Sequence, residues 1–507
     1  MASTNQQIGE LISHVRQERG LTQSEFAKML STSQSAINRI EHGNQNLSLD
    51  TLGRISDVLN KQIITINKSS ISLRIEGGRE LKGEITLKTS KNSAVSLLCA
   101  SLLNKGTTHL KSIPKIEEVY RIIEVLQSIG VLVKWQNDND LIIKTPKKFN
   151  LDTINYEAAQ KTRSVLMLIG PLIHFQSKFN IPYAGGCNLG RRTILPHLYA
   201  LEEFGVSVLT KASHYEVNAK VKLPSRNVVL YESGDTTTEN IIMTAAISSG
   251  TTTIKMASAN YMVQDLCYFI SKLGVKIEGI GTSTLIIYGQ SEISKNVNYS
   301  PLEDPVEAMT FISAAVTTNS SITIKRAPIE FLELELLKLE KMGLKYETSS
   351  PYLANNNKSS LVDLKIFKHN NKLVAPKEKI HPNVFPGLNI DHLPYFIPIA
   401  AVAYGRTLIH DWVYEDRALM FTEISKIGVD LELADPHRVF INGPTKFKPA
   451  DLVCPNGIRP AVMLLIGMLA ANGISILRNV YTINRGYEEL ANRLNELGAK
   501  ISVIHDI

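Results

Sequence analysis

The sequence predicts a mixed α/β (α+β) protein, in which a small all-α unit precedes a body of six βαβαββ repeats arranged in two domains. The first observation is a helix with a Leu and Ile stripe that ends in glycine and runs directly into an apolar strand. This step recurs six times, with the glycines Gly130, Gly205, Gly274, Gly343, Gly428 and Gly498. Each glycine fits the left-handed residue that commonly ends a helix. The spacing of about 70 residues is longer than the repeats of common solenoids and propellers, so those folds are excluded.

The second observation is an earlier helix of small residues in most units, which also ends in a turn and a strand. Examples are the segments 102–110, 247–254 and 469–476. Six such units can form two globular domains with a cleft between them, and clefts of this kind commonly hold small molecules. The interval from Gly343 to Gly428 is longer than the others, and its polar runs predict an inserted surface loop.

The third observation concerns residues 7–66, which have helical apolar spacing throughout. Thr22 and Glu25 form a capping-box pattern that starts one helix, and a second helix is predicted from Gln34 to Glu41. A further helix is predicted from Ser48 or Asp50. Two short helices joined by a tight turn are the helix-turn-helix arrangement.

This unit resembles the phage-repressor-like helix-turn-helix family. The resemblance implies that a set of polar side chains faces DNA: Gln23, Gln34, Ser35, Asn38 and Arg39. Residues 1–66 hold six Lys or Arg and six Asp or Glu, so a single copy gains little affinity from counterion release, and a homodimer is expected. The alternative is a helical module for oligomer or protein contacts.

Composition narrows the class of protein. A hydrophobic content of 44% and a charged content of 20% predict a soluble globular chain with large cores. The four cysteines are far apart, which argues against a disulfide framework or a zinc ribbon and predicts a reducing, cytoplasmic location. No signal peptide or membrane-spanning segment is expected. The net charge of +7 is compatible with anionic substrates or with nucleic acid.

The segment 182–192 is glycine-rich, with Cys187 followed by Arg191 and Arg192. Glycines let the backbone pass close to a ligand, and nearby positive charge favours a thiolate. Arginines also present paired donors to phosphate or carboxylate oxygens. These residues predict an anion-binding loop with a reactive cysteine, although a surface turn with a chance cysteine fits them equally well.

From about residue 72 to the end, the chain resembles the enolpyruvyl transferase family. The resemblance is carried by Ile75–Thr86, Ser90–Asn92, Gly185–Arg192, Phe385–Asp391, Glu415–Arg417 and Asn484–Glu488. It implies a two-domain inside-out α/β barrel, with one domain at about 91–302 and the other at about 70–90 plus 303–507. The implied reaction transfers the enolpyruvyl group of phosphoenolpyruvate to the 3-hydroxyl of UDP-N-acetylglucosamine and releases phosphate. No metal or cofactor is implied.

The resemblance also assigns roles to residues. Cys187 would donate a proton to the methylene carbon, Asp391 would deprotonate the hydroxyl, and Arg459 would lie near the reacting carbons. Lys91 is also implied to be catalytic, at a position that holds the phosphate and carboxylate of phosphoenolpyruvate. The residues implied to bind phosphoenolpyruvate are Lys91, Asn92, Arg192, Arg417 and Arg485. Those implied to bind the UDP-sugar are Asn92, Arg163, Arg192, Thr193, Ile194, Leu195, Pro196, Asp391 and Val413. An independent interpretation of Asp391 is the N-cap of the helix that follows.

Several positions depart from the family pattern. Gly457 and Leu195 stand where the family has aspartates, Glu232 stands where it has a lysine, and Asn484 replaces an aspartate. These departures affect the acceptor side more than the donor side. They leave two alternatives open: transfer to another nucleotide or sugar acceptor, and a metabolite-sensing transcriptional regulator with an inactive body.

Overall fold

The computed structural model divides into two units, Met1–Ser70 and Ile71–Ile507. It describes residues 71–185, 193–220, 223–370 and 372–505 of the second unit. In the first unit it describes residues 8–10, 12–13, 16–17, 21–45, 47, 51–52, 54–55 and 58. Within these ranges, no helix has the length and apolar character needed to cross a membrane.

The first unit contains the predicted pair of short helices, Gln23–Met29 and Gln34–Glu41. The capping box is confirmed, because the Thr22 hydroxyl accepts from the Glu25 backbone N–H while the Glu25 carboxylate accepts from that of Thr22. Phe26 and Ile37 are fully buried in the core of this unit. Most of the helix predicted from Ser48 or Asp50 lies outside the described residues.

The described residues of the body form six β-sheets, the number that the six repeats predict. Three are built from strands between Thr107 and Tyr299: Val297–Tyr299, Thr107–Leu110, Asp140–Lys144 and Leu132–Gln136; Lys178–Pro182, His214–Asn218 and Ser207–Thr210; Lys276–Glu278, Thr284–Tyr288, Thr251–Lys255 and Asn227–Val229. The other three are Asp451–Val453, Gly473–Arg478, Ile71–Gly77 and Ile501–His505; Tyr346–Thr348, Ser360–Ile366, Ser321–Ala327 and Lys82–Thr86, with Tyr352–Leu353; Gly405–His410, Arg438–Gly443 and Asp430–Asp435.

Helices pack between these sheets and share one continuous hydrophobic core. The α-helices are Lys91–Ala100, Glu117–Ser128, Tyr156–Gln160, Ile169–Leu172, Leu195–Glu202, Asp235–Ala246, Tyr261–Lys272, Pro305–Thr317, Glu333–Lys341, Phe396–Val402, Arg417–Phe421, Ile458–Ala470, Tyr481–Asn484 and Leu490–Glu496. The 3₁₀ turns are Ser101–Leu103, Leu151–Thr153, Arg163–Leu168, Ile329–Phe331, Leu393–Tyr395 and Thr422–Ile427. All six repeat glycines have φ between 76° and 109°, which confirms the predicted left-handed residue at each helix end.

The chain passes between the two sets of sheets along two adjacent segments. Lys82–Thr86 pairs in parallel with Ser321–Ala327, and Val297–Tyr299 pairs in parallel with Thr107–Leu110. The segments that follow these strands are hydrogen-bonded to each other, since the Ser90 N–H donates to the Leu302 carbonyl at 2.7 Å. The helix Lys91–Ala100 therefore begins at this crossing, next to the other set of sheets.

The predicted surface loop in the long interval is partly wrong. Tyr352–Leu353 pairs with Leu361 and Ser360 to form a short hairpin. The side chain of Asn356 at its tip is buried, and its Nδ2 donates to the Asp265 carboxylate at 3.3 Å. A polar run thus folds back because one of its amides has a buried acceptor, which local composition does not reveal.

Candidate active site

A cleft of about 960 Å³ is lined by residues from both sets of sheets. Several helices of ten or more residues begin at its wall, among them Lys91–Ala100, Asp235–Ala246 and Ile458–Ala470. Helix N-termini carry partial positive charge and unpaired N–H groups, so they favour anions nearby. Five basic side chains add to this field: Lys91, Arg163, Arg417, Arg459 and Arg485.

Lys91 is the first residue of its helix, which the Ser90 hydroxyl caps by accepting from the Ser93 N–H. The Lys91 ammonium contacts the Glu118 carboxylate at 2.9 Å, and the Thr162 hydroxyl donates to the other Glu118 oxygen at 3.1 Å. Burial would raise the pKa of Glu118, but the charges of Lys91 and Arg485 outweigh burial and hold that pKa below its usual value. Glu118 therefore stays ionised and orients Lys91 within the cleft.

Asp391 lies on the other wall, where Arg459 Nη2 is 3.4 Å from its Oδ2. Burial would raise the pKa of Asp391, but Arg459, Arg417 and Lys91 lower it overall. The helix N-cap interpretation of Asp391 is wrong, since the next turn, Leu393–Tyr395, has His392 at its N-cap with no side-chain cap bond. Asp391 is therefore an ionised carboxylate surrounded by cations.

The cations on this wall are fixed by buried partners. Arg417 is buried, and it donates from Nε to the Asp411 carboxylate at 2.5 Å and from Nη2 to the Ile390 carbonyl at 2.8 Å. The Arg459 guanidinium lies over the Tyr487 ring at 5.5 Å. These contacts hold both arginines in place before any ligand binds. Less side-chain entropy is therefore lost when an anion binds.

The opposite side of the cleft carries several of the residues assigned to the acceptor, among them Arg163 and Asn92. Arg163 Nη2 donates to the Thr193 carbonyl at 2.7 Å, and Asn92 Nδ2 donates to the Tyr261 hydroxyl at 3.1 Å. His197 is buried there, and burial lowers its pKa to about 3, so its imidazole is neutral at physiological pH. Val413 lies at the edge of the cleft and is 43% exposed.

The structure gathers most of the residues assigned from the sequence in this one cleft. Its lining includes Lys91, Asn92, Arg163, Thr193, Pro196, Asp391, Val413, Arg417, Arg459 and Arg485. Ile194 instead packs against the hydrophobic core, and Leu195 is 45% exposed and is not part of the lining. Cys187 and Arg192 lie outside the described residues.

Sequence reasoning did not single out Glu118, Glu239 or Asp411. Glu118 occupies the first turn of a helix, where acidic residues are common for electrostatic reasons, so it gave no distinct signal. Glu239 lies in the interior of a helix, and Asp411 follows a strand. Only the Glu118 partner, Lys91, is distant in the sequence, whereas Asp411 is six residues from Arg417. Within the described residues, no group of three or more His, Cys, Asp or Glu could hold a metal ion.

The polar residues assigned to DNA contact lie on the two short helices of the first unit. Gln34, Ser35, Asn38 and Arg39 are exposed on the second of these helices. Gln34 Nε2 donates to Gln23 Oε1 at 2.9 Å. The exposed polar face of this helix is therefore available to a groove.

Comparisons with known proteins cover both units. The family model described as EPSP synthase (3-phosphoshikimate 1-carboxyvinyltransferase) matches residues 75–494, and a helix-turn-helix model matches residues 12–66. A UDP-N-acetylglucosamine 1-carboxyvinyltransferase of Campylobacter hominis is 32% identical over 430 residues, which is 85% of this chain and 98% of the relative. The protein of the same name from Campylobacter jejuni serotype O:23/36 is 30% identical over 436 residues, which is 86% of this chain and 99% of the relative.

Solved structures show the same fold. The enolpyruvyl transferase NikO from Streptomyces tendae superimposes with a TM-score of 0.75 at 21% identity, covering 87% of this chain and 100% of that one. An EPSP synthase from Acinetobacter baumannii has a TM-score of 0.67 at 16% identity, covering 86% of this chain and 100% of that one.

Proposed function

The chain belongs to the EPSP synthase family of enolpyruvyl transferases, and from this premise we propose that its body transfers the enolpyruvyl group of phosphoenolpyruvate to the 3-hydroxyl of UDP-N-acetylglucosamine. The observation that carries the proposal is the convergence of Lys91, Arg417, Arg459 and Arg485 on one cleft that also holds Asp391. Phosphoenolpyruvate is a small, multiply charged anion, so its site needs several fixed cations. The matching relatives supply the name of the acceptor.

The proposed reaction is an addition followed by an elimination. Asp391 accepts the proton of the acceptor hydroxyl while the hydroxyl oxygen forms a bond to C2 of phosphoenolpyruvate. Cys187 gives a proton to C3. In the second step, C3 returns a proton to the Cys187 thiolate, the C2–O bond to phosphate breaks, and the double bond re-forms, while the departing phosphate takes up the proton held by Asp391. The cations stabilise the carboxylate and phosphate charge throughout. Asp391 is suited to its part because its lowered pKa keeps it deprotonated at neutral pH.

The assignment divides the chain into two parts with different partners. Residues 67–507 would carry the transfer, in a cytoplasmic step of peptidoglycan precursor synthesis, and residues 1–66 would bind DNA as a homodimer. Within the body, the boundary between the two proposed domains falls at the crossing near Ser90 and Leu302, where the chain passes between the two sets of sheets.

We expect the full-length chain to release phosphate from phosphoenolpyruvate only when UDP-N-acetylglucosamine is present. Epoxide analogues of phosphoenolpyruvate should inactivate it with an adduct on Cys187 that mass spectrometry detects, and Cys187→Ser should prevent the adduct. The buried Cys99 is the matched control, because burial raises its pKa and Cys99→Ser should leave the labelling intact. Inactivation that persists in Cys187→Ser, or phosphate release no faster than without acceptor, would contradict the assignment.

A second acceptor is favoured by Glu232, whose carboxylate lines the cleft on the acceptor side. A carboxylate repels a diphosphate, so an acceptor with less negative charge fits this wall better. The same phosphate-release assay over a panel of nucleotides and sugars separates the two. Turnover with a less anionic acceptor and none with UDP-N-acetylglucosamine would favour the second acceptor.

We expect the helix-turn-helix unit to give the full chain sequence-selective DNA binding. Asn38 and Arg39 are exposed on its second helix and suit adenine and guanine edges. In fluorescence anisotropy with fragments of the chain's own upstream region, Asn38→Ala should lower the preference for the selected fragment about 10-fold.

Lys28→Ala is the control for the DNA experiment, because Lys28 is exposed on the first of the two helices. Its loss should weaken binding to all sequences equally. Equal binding of all fragments by the unmodified chain would contradict DNA recognition and favour a protein-contact module. DNA binding that responds to phosphoenolpyruvate or the UDP-sugar without turnover would instead identify a metabolite-sensing regulator.

A further inference from the structure

Glu239 is a buried acid on the cleft wall that the proposed reaction does not use. It lies in the helix Asp235–Ala246, it is 2% exposed, and it contributes to the cleft lining. Its Oε1 is fully buried and has no hydrogen-bond partner within the part of the chain that the structure describes. A buried polar atom without a partner is costly, so an unpaired oxygen beside a ligand cleft indicates that the ligand supplies the partner.

The groups around Glu239 determine its protonation. Asp235 lies one helical turn earlier, and like charges at this spacing destabilise a helix. Burial first, and then Asp235 and Asp265, raise the pKa of Glu239 well above its usual value, while Ser96 and Lys91 oppose this only in part. The Lys91 ammonium is instead in contact with Glu118. The neighbouring thiols of Cys99 and Cys267 are buried and have raised pKa values, so they add no charge.

Asp235 differs from Glu239 because its carboxylate has two donors. The Ser258 hydroxyl donates to Oδ1 at 2.5 Å, and Asn260 Nδ2 donates to Oδ2 at 3.2 Å. Hydrogen bonds to a carboxylate favour its charged form. Burial raises the pKa of Asp235 too, but the hydrogen bonds from Ser258 and Asn260 limit that rise, whereas the pKa of Glu239 is raised well above its usual value. When the two acids share one proton, the proton therefore belongs on Glu239. Ser258 and Asn260 also line the cleft.

We propose that Glu239 is a specificity-determining residue, held as a neutral carboxylic acid that donates a hydrogen bond to an oxygen of the bound acceptor, while the adjacent Asp235 carboxylate accepts one. This inference rests on the proposed function. A donor and an acceptor side by side complement a hydroxyl group, which both donates and accepts, so the pair suits the ring hydroxyls of a sugar or ribose.

Infrared spectroscopy tests the protonation without any turnover. At neutral pH the spectrum of the full chain should contain a carboxylic acid C=O band that is missing from Glu239→Gln, and the band should shift when UDP-N-acetylglucosamine is added. If the band is absent, Glu239 is ionised and the proposal is overturned. A band that stays in place when the sugar binds would rule out the hydrogen bond.

Calorimetric binding of UDP-N-acetylglucosamine tests specificity. Glu239→Ala should weaken binding about 10-fold, the value of one good hydrogen bond, while Glu239→Gln keeps a donor and should stay within about threefold. Binding by the unmodified chain should weaken as pH rises through the raised pKa of Glu239, because the donor becomes an anion, whereas binding by Glu239→Gln should not. The same pH dependence in both proteins would overturn the proposal.

A second buried acid serves as the control for Glu239, because its replacement separates a loss of stability from a loss of affinity. Glu303 is also buried but accepts from Arg326 Nε at 2.8 Å and lies outside the cleft lining, so Glu303→Gln should lower the Tm without changing the affinity. Phosphate release and the Cys187 adduct report on the proposed function independently of Glu239. If these succeed while both Glu239 variants bind the sugar normally, only the inference about Glu239 fails. If the unmodified chain binds no UDP-sugar, the proposed acceptor fails together with the acceptor contact, and the infrared band still decides the protonation.

Discussion

Replacing Asp391 by asparagine is expected to lower kcat for enolpyruvyl transfer by about 10²- to 10⁴-fold, the usual contribution of a positioned general base. Asparagine has nearly the same shape and keeps an oxygen that can accept from Arg459, so the arrangement of the cleft should be retained. It cannot take the proton of the acceptor hydroxyl at neutral pH. KM for phosphoenolpyruvate should therefore change by about threefold or less, since the cations that hold it are untouched.

The pH profile separates this role from a structural one. Arg459, Arg417 and Lys91 lower the pKa of Asp391, so the carboxylate is ionised throughout the neutral range and becomes protonated only at acidic pH. The loss in Asp391→Asn should thus be constant near neutral pH. Asp138→Asn is the control, because Asp138 is exposed in a turn and lies outside the cleft lining. Equal kcat values for Asp391→Asn and the unmodified chain would show that another group removes the proton.

Local features of the fold were predictable because each depends on residues close in the sequence. The Thr22 and Glu25 capping box satisfies backbone donors within one helical turn. Gly130 and Gly428 end their helices with positive φ because the strand that follows must leave in a new direction. The repeats follow from these signals, since each local pattern contributes to one of the six sheets, although these differ in their number of strands.

Other features depend on pairings that the sequence does not contain. The parallel pairing of Lys82–Thr86 with Ser321–Ala327 joins strands more than two hundred residues apart, so no local pattern could place it. Similarly, Asn356 belongs to a polar run that predicts a loop, and only the buried Asp265 carboxylate explains why its side chain is buried.

In the cleft, the family resemblance located the cations, whereas the acids that position them were missed. Lys91 and Arg417 stand in quoted motifs, but nothing in the sequence connects Lys91 with Glu118. Asp411 is close to Arg417 in the chain, but the sequence alone does not show that the two side chains form a buried ion pair after the strand Gly405–His410. The sequence alone does not distinguish a carboxylate that has a buried ion-pair partner from an ordinary surface charge.

A buried ion pair holds the C-terminal helix against the rest of the body. Arg493, in the helix Leu490–Glu496, contacts the Glu307 carboxylate, and its Nη2 donates to the Thr86 carbonyl at 2.6 Å. The second Glu307 oxygen accepts from the Lys88 N–H at 2.8 Å. Both side chains are nearly inaccessible to water. Three segments distant in the sequence are therefore joined through one guanidinium and one carboxylate.

Replacing Arg493 by methionine is expected to lower the free energy of unfolding by about 3 to 5 kcal/mol, because Glu307 is left as a buried charge without its partner. Burial already raises the pKa of Glu307 despite Arg493, so the variant should be least affected at acidic pH, where the carboxyl is protonated, and lose more stability as pH rises. Denaturant titrations at several pH values measure this. Arg438→Met is the control, since Arg438 is exposed to solvent and its ion pair with Asp435 contributes at most about 1 kcal/mol. The double variant Arg493→Met with Glu307→Gln should recover part of the loss, because no charge remains buried. A loss that is independent of pH and not recovered in the double variant would assign the effect to packing against Phe311 instead of to the ion pair.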